Sequence, residues 1–315
     1  MNNTSRFEAT SALAGDTMIL TARNGLIQMS DLAGDLMEGQ MRPLSMKVRG
    51  DDVMETVTGI VCCGTRSAYR VMLENGLTFV ATYNSQVVTA RNRHSTHHNK
   101  TIDGLTERDT LVIPRGKKPM GTYDGKSWSE SMLDRGAFPR EVLAGNNGYL
   151  RKVIRTTFLE PVGRMGEGLR STLSIDSQNA VTLRWKAPNK WLARQLQAIL
   201  IPFANVMGVL DAAGTEMTVT DADLVRLDDA IDLIDGIYEE GDCNVDRQIV
   251  EWLLGIVDMH TRMREVVKVD NIEGVNRREM YSLILAREDG SFLANGTLHT
   301  GIRNPARLEL KEVTE

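Results

Sequence analysis

The hydrophobic pattern separates an alternating outer part of the chain from a central part with helical spacing. Apolar and polar positions alternate in short runs at residues 46–49, 56–62, 68–73, 78–81 and 110–114, separated by glycine and asparagine. Such alternation predicts β-strands, each with one buried face. Because neighbouring side chains of a strand point to opposite faces, we expect only one of the adjacent Cys62 and Cys63 to be buried.

The central part has apolar residues at three- and four-residue intervals, which predicts helices. One helix is predicted over 190–200, begun by Asn189 and stopped by Pro202, and another over 245–266. A run rich in glycine, lysine and proline at 114–121 indicates a boundary. We therefore predict four segments: an N-terminal tail at 1–11, a mainly β domain from 12–114 and 266–300, a mainly helical or α+β insert at 115–265, and a C-terminal tail at 301–315.

Length and composition allow two soluble domains. The chain has 315 residues, 42% of them hydrophobic, which is enough for two cores. It has no run of 18 apolar residues and begins with polar residues, so we expect no membrane association and a cytoplasmic location, or a virion if a phage encodes it. Three cysteines suit a reducing compartment better than a disulfide framework.

Charge divides the insert into two halves. Residues 115–205 carry 15 lysines and arginines against 7 acids, whereas residues 206–267 carry 4 against 15. The basic half could face DNA, or its tryptophans could be core anchors while the two halves neutralise each other. The net charge of −5 gives no general attraction to phosphate, so DNA is the less favoured partner. The candidate DNA contacts are Arg184, Lys186, Lys190 and Arg194.

Four motifs in order carry a resemblance to a known family. The segment ALAGDTMIL at 12–20 resembles the opening block of an intein, and FLANGTLHT at 292–300 resembles the closing block. Between them, GLTFVATYNS at 76–85 is similar to the family's glycine, strand and Thr-x-x-His pattern. The runs at 267–273 and 279–283 look like the paired strands before the closing block. The resemblance implies a mainly β, horseshoe-shaped Hint domain formed by both ends of the chain.

The same motifs lack the residues that splicing requires. Ala12 stands where the family has a nucleophilic cysteine or serine, Ser85 replaces the histidine, and Thr300 replaces the cyclising asparagine. Thr82 and His299 keep the family's residues, and His299 is left with a packing or hydrogen-bonding role. The resemblance therefore implies five vestigial splice-site positions with no expected activity.

The insert has a weaker resemblance to a LAGLIDADG homing endonuclease. Residues 138–158 are similar to the run that leads into the signature helix of such an enzyme, and 189–208 to a later helix. Thr156, Thr157 and Phe158 stand where a metal-binding aspartate belongs, so the resemblance implies no bound metal and no cleavage. We expect no cofactor.

Only 11 residues precede Ala12 and 15 follow Thr300, too few for a host protein, which suggests a free-standing protein. Our first hypothesis is a splicing-inactive, domesticated intein-like protein that is a structural or docking component of a larger assembly and binds other protein subunits. Because inteins are common in phages, a phage virion is the first assembly to consider. The alternatives are a free-standing intein-derived homing endonuclease and an atypical protein-splicing intein.

Overall fold

In the computed structural model, the chain divides into two compact units. Unit 1 comprises residues 1–114 and 264–315, and unit 2 comprises residues 115–263. The predicted tails at 1–11 and 301–315 lie mostly outside the described residues. The structure describes residues 11–51, 53–90, 97–114, 120–125, 136–161, 168–241, 243–257, 264–287, 290–302 and 311–312.

The elements follow in chain order. The first part of unit 1 contains β1 (Leu13–Ala14), β2 (Met18–Leu20), β3 (Leu26–Gln28), α1 (Met29–Ala33), β4 (Gln40–Arg49), β5 (Met54–Leu73), β6 (Thr78–Ala81), β7 (Gln86–Thr89), β8 (His98–Thr101) and β9 (Thr110–Pro114). Unit 2 contains α2 (Arg140–Leu143), α3 (Asn147–Leu159), β10 (Ser171–Ile175), β11 (Val181–Lys186), α4 (Lys190–Ala204), β12 (Val209–Leu210), β13 (Glu216–Thr220), α5 (Asp221–Ile231), α6 (Leu233–Glu239) and α7 (Arg247–Gly255). The second part of unit 1 contains β14 (Arg264–Leu285), β15 (Ser291–Ala294), β16 (Thr297–Thr300) and β17 (Lys311–Glu312).

Strands from the two ends of the chain interleave in unit 1. The strand order is β17-β4-β5-β6-β1-β14-β9-β7-β16-β15-β2-β3, with β8 on β7. β14 pairs with β5, β1 and β9, while β16 pairs with β7 and β15 pairs with β2. The predicted fold class is therefore confirmed: a mainly β domain built from both ends of the chain, with an α+β insert.

The longest pairing in unit 1 joins β5 and β14 in an antiparallel ladder with four register shifts. Most of β5 alternates between buried and exposed residues, but residues 59–64 are buried on both faces. Cys62 and Cys63 are consequently both buried, so the prediction that one would be exposed is wrong. The cause is tertiary packing, because the Cys63 side of the strand belongs to a core cluster with Ala12 and Met280.

A tight hairpin joins β15 to β16. Asn295 and Gly296 form its turn with φ angles of 45° and 83°, the left-handed values that a two-residue type I′ turn requires. The Asn295 side chain also ties this hairpin to two other strands, because its Oδ1 accepts the Met18 N–H at 2.8 Å and its Nδ2 donates to the Thr78 carbonyl at 3.3 Å.

Unit 2 contains a four-stranded antiparallel sheet in the order β10-β11-β13-β12. One face of this sheet is buried and includes Leu183, Trp185 and Met217. Helix α3 contributes Phe158, whose ring centroid lies 5.7 Å from that of Trp185, and the Trp185 indole N–H donates to the Thr157 carbonyl at 3.1 Å. The opposite face presents polar and charged side chains.

Two helix ends differ from the predictions. Asn189 does cap α4, since its side chain accepts the Leu192 N–H, but Pro202 lies inside the helix. Proline removes the hydrogen bond that its own N–H would donate, but the Asn205 N–H still donates to the Ile201 carbonyl at 3.1 Å, and the helix continues to Ala204. The helix predicted over 245–266 is the shorter α7, and β14 already begins at Arg264.

Candidate functional site

Neighbouring segments of unit 1 bring Ala12, Thr82 and Ser85 together. Ala12 lies directly before β1, and β1 pairs with β6 through Leu13 and Ala81. Thr82 and Ser85 follow β6 in the short connection to β7, where the Ser85 N–H closes a turn by donating to the Thr82 carbonyl at 3.0 Å. Ala12, Thr82 and Ser85 are all buried. The site is therefore part of the core of unit 1.

The two hydroxyls bind the main chain of Ala12. The Ala12 N–H donates to Thr82 Oγ1 at 3.1 Å and to Ser85 Oγ at 3.0 Å. The Ala12 carbonyl accepts the Ser85 hydroxyl proton at 2.9 Å and the Thr82 N–H at 3.0 Å. The hydroxyl oxygens of Thr82 and Ser85 are 2.9 Å apart. Both polar groups of a buried residue are thus satisfied by one short connection.

This network holds an amide and offers no nucleophile to it. The Ala12 side chain is a methyl group packed in a buried cluster with Ala14, Val61 and Met280. Acyl transfer from the preceding carbonyl would need a hydroxyl or thiol on that side chain. Ser85 has a single hydroxyl proton, and its oxygen already contacts the Ala12 N–H, the Ala12 carbonyl and Thr82.

His299 lies on β16 in a second buried part of the site. Its Nε2 is 2.7 Å from the Thr297 hydroxyl, and its ring makes an edge contact with Phe79 at a centroid distance of 4.7 Å. The other ring nitrogen, Nδ1, is buried and has no hydrogen-bond partner in the part of the chain that the structure describes. Thr300 is buried at the end of the same strand and pairs with Ser291.

Burial controls the protonation of His299. Desolvation lowers the pKa of its imidazole from 6.5 to about 3, because a charged ring inside the core would lose its hydration. The ring is therefore neutral near pH 7, and protonation inside the folded domain is unfavourable.

The upstream and downstream parts of the site are connected through β7. Ser85, which binds Ala12, directly precedes β7, and His299 is the pairing partner of Val87 on the same strand. Phe79 on β6 adds a ring contact to His299. The structure thus places Ala12, Thr82, Ser85, His299 and Thr300 in the buried part of one unit.

The four candidate DNA contacts lie in unit 2, two on β11 and two on α4. Arg184 and Lys186 are exposed on the polar face of the sheet, where Arg184 has Thr172 and Thr218 as cross-strand partners. Lys190 is exposed at the first turn of α4, whereas Arg194 is half-buried on the same helix.

The end of α3 contains the positions at which the endonuclease resemblance would place a metal-binding aspartate. Thr157 and Phe158 are buried, and the Thr157 hydroxyl donates to the Val153 carbonyl within the helix. Glu160 follows the helix and lies 3.5 Å from the guanidinium of Arg170. Among the residues that the structure describes, no group of three or more His, Cys, Asp or Glu side chains is placed to hold a metal ion.

Sequence reasoning missed two residues that organise the site. Thr297 binds the His299 ring from the same face of β16, a contact that their two-residue spacing could have indicated. Asn295 joins three strands through its amide, and only the Asn-Gly turn signal pointed to it. Exposed apolar side chains on α7 and directly after it are a third feature of interest, with Ile249 at 50%, Trp252 at 65% and Ile256 at 64% exposure.

A scan of protein-family models and a search of curated proteins give no match for this chain. Solved structures that are similar to it are inteins. The G-1F mutant of the Ssp DnaB mini-intein variant M86 is 12% identical, covers 93% of this chain and 99% of its own, and has a TM-score of 0.40. A DnaB intein from Synechocystis sp. PCC 6803 is 9% identical, with 93% and 99% coverage and a TM-score of 0.38. The TvoVMA intein is 7% identical, with 93% and 95% coverage and a TM-score of 0.38. These TM-scores are low, so the assignment of the fold rests on the strand pairing of the chain itself.

Proposed function

We propose that this chain is a splicing-inactive, domesticated intein-like protein that serves as a docking component of a larger assembly. The observation that carries the proposal is the buried methyl group of Ala12, held at the position where Thr82 and Ser85 bind the preceding amide. Thr82 and Ser85 bind this amide, but no nucleophile on residue 12 can attack the preceding carbonyl. Such a site can stabilise the local backbone conformation, and it cannot start acyl transfer from residue 12.

The second support is an apolar strip at α7, formed by Ile249 and Trp252 on the helix and by Ile256, which directly follows it. Val250 and Leu253 on another side of the same helix are buried in unit 2, so the strip is not needed to anchor α7. Large exposed apolar side chains that are grouped together are typical of protein interfaces, and tryptophan is enriched among interface hot spots.

The partner in this proposal is another protein subunit of the assembly. The association of inteins with phages makes a virion the assembly to test first. None of the helices that the structure describes is long and apolar enough to cross a membrane.

The test of inactivity places the chain between two reporter proteins. Mass spectrometry should find one unspliced fusion and no excised fragment that spans residues 12–300. A triple variant with Ala12→Cys, Ser85→His and Thr300→Asn restores the three missing residue types. It should show some cleavage at a junction if the fold around these positions still supports the reaction. Ligated reporters from the unmodified chain would support the atypical intein instead.

One observation favours a second function, contact with nucleic acid. Arg184 and Lys186 project from the open face of a polar sheet, with hydroxyl side chains beside Arg184 that can bind phosphate oxygens. Binding of duplex DNA, measured by fluorescence polarisation, should fall with Arg184→Gln and remain with Lys152→Gln, an exposed control on α3. Magnesium-dependent double-strand cleavage, lost in Glu160→Gln or Asp176→Asn, would favour the homing endonuclease.

A further inference from the structure

A polar cavity of about 610 Å³ lies in unit 1, away from Ala12 and its partners. Its lining comes from three segments of the chain: the turn after β2, β4 and β5. The lining residues are Thr21, Ala22, Arg23, Asn24, Ser45, Met46, Lys47 and Thr56. The set contains two cations, three hydroxyls and an amide, and none of these described residues is a carboxylate.

The turn that forms one wall is fixed by its own hydrogen bonds. The buried Thr21 hydroxyl donates to the Gly25 carbonyl at 2.9 Å and accepts the Asn24 N–H at 3.0 Å. The Ala22 N–H donates to the Lys47 carbonyl at 2.9 Å, and Thr21 forms a bridge with Val48. The turn is thereby attached to β4, so the wall is formed without a ligand.

The floor of the cavity is built by a cross-strand pair and a bulge. Lys47 on β4 pairs with Thr56 on β5, which places both side chains on one face. The register shift between Pro43 and Met46 is a β-bulge, a feature that redirects nearby side chains, and Ser45 lies within it. The Lys47 ammonium has no ion pair or hydrogen bond within the described part of the chain, so its charge is available to a ligand.

We infer that this cavity binds a small organic phosphate monoester. The Lys47 ammonium and the hydroxyls of Ser45 and Thr56, in a lining whose described residues include no carboxylate, favour a doubly charged group with several acceptor oxygens. The volume is within the range of small-molecule sites and exceeds what a bare ion needs. Ala22 and Met46 supply the apolar contacts that the organic body of the ligand would use.

Isothermal titration calorimetry of the full chain with glucose 6-phosphate tests the inference. We expect saturable binding, weaker binding of inorganic phosphate, and none of glucose. Lys47→Gln should weaken binding about tenfold, because it removes a charge-assisted hydrogen bond. Thr56→Val should weaken it less, and Lys152→Gln in unit 2 should leave it unchanged. NMR shifts should map to residues 21–24, 45–47 and 56.

Each other result overturns the inference. Absence of heat and of NMR shifts at millimolar glucose 6-phosphate would show that the cavity is not a phosphate site. Equal binding by the Lys47→Gln variant, with a native spectrum, would show that any affinity lies elsewhere. Binding of glucose as tight as that of its phosphate would indicate a neutral ligand.

Discussion

The hydroxyl of Ser85 binds both main-chain polar groups of Ala12, as acceptor for its N–H at 3.0 Å and donor to its carbonyl at 2.9 Å. The two residues are 73 positions apart in the sequence, so this contact fixes the start of β1 against the connection between β6 and β7. Because Ala12 is buried and offers no nucleophile, the role of this contact under the proposed function is to order the chain around Ala12.

Ser85→Ala should therefore destabilise unit 1. The Ala12 N–H would keep Thr82 Oγ1 and its carbonyl would keep the Thr82 N–H, so we expect a loss of about 1–2 kcal/mol rather than unfolding. All four tryptophans lie in residues 115–263, so their fluorescence reports on unit 2. Hydrogen exchange at the Ala12 amide is the appropriate measurement for unit 1.

Ser67→Ala is the matched control, because Ser67 is an exposed serine of β5. It should leave the Ala12 exchange rate unchanged and alter the free energy of unfolding by no more than about 0.5 kcal/mol. Unchanged exchange at Ala12 in Ser85→Ala would mean that the hydroxyl does not order the junction.

His299 should make unit 1 sensitive to acid. Its pKa is about 3 in the folded domain against 6.5 when unfolded, so the unfolded chain binds more protons between these values. The free energy of unfolding is therefore not reduced by His299 above pH 6.5, and it decreases as the pH falls from 6.5 towards 3. The decrease is about 1.4 kcal/mol for each pH unit in this range. Protection factors of core amides in unit 1, which correct each exchange rate for the intrinsic pH dependence of exchange, measure this decrease from pH 7 to 4.

His299→Gln separates this effect from the titration of the carboxylates. Glutamine keeps a partner for Thr297 and has no proton to gain in this range, so the pH dependence of the variant should be shallower than that of the unmodified chain. Parallel curves for the two proteins would contradict the assigned pKa.

Asp228→Asn should stabilise unit 2 near pH 7. Desolvation raises the pKa of the Asp228 carboxyl, and the charges of Asp235, Asp229 and Asp232 raise it further. The ionised form is therefore unfavourable in the fold, and stability falls as the pH rises from the unfolded pKa through the folded one. Asparagine still accepts the Ile234 N–H, so the gain should appear at neutral pH and vanish in acid. Urea unfolding followed by tryptophan fluorescence measures it, with Asp124→Asn as the control, because Asp124 is an exposed aspartate of unit 2.

The sequence predicted the fold class because alternation and helical spacing depend on local burial. It failed where tertiary packing overrides the local pattern, as at Cys62 and Cys63, where both faces of β5 are covered. Pro202 was expected to end a helix, yet the loss of one donor near the end of α4 is tolerated. The family resemblance singled out Ala12 and Ser85. The contact of the Ser85 hydroxyl with both the N–H and the carbonyl of Ala12 depends on side-chain geometry, which cannot be read from one sequence.

Trp252→Ala should abolish docking without unfolding the protein. The side chain is 65% exposed, so its truncation should change the unfolding midpoint of unit 2 little, whereas loss of a buried interface anchor costs about 2 kcal/mol or more of binding free energy. Co-sedimentation with the native assembly from the source organism measures incorporation. Val209→Ala removes an exposed apolar side chain from β12 of the same unit and is the matched control, which should incorporate normally. Normal incorporation of Trp252→Ala together with Ile249→Ala would exclude the strip at α7 as the docking surface, even if the chain remains inactive in splicing.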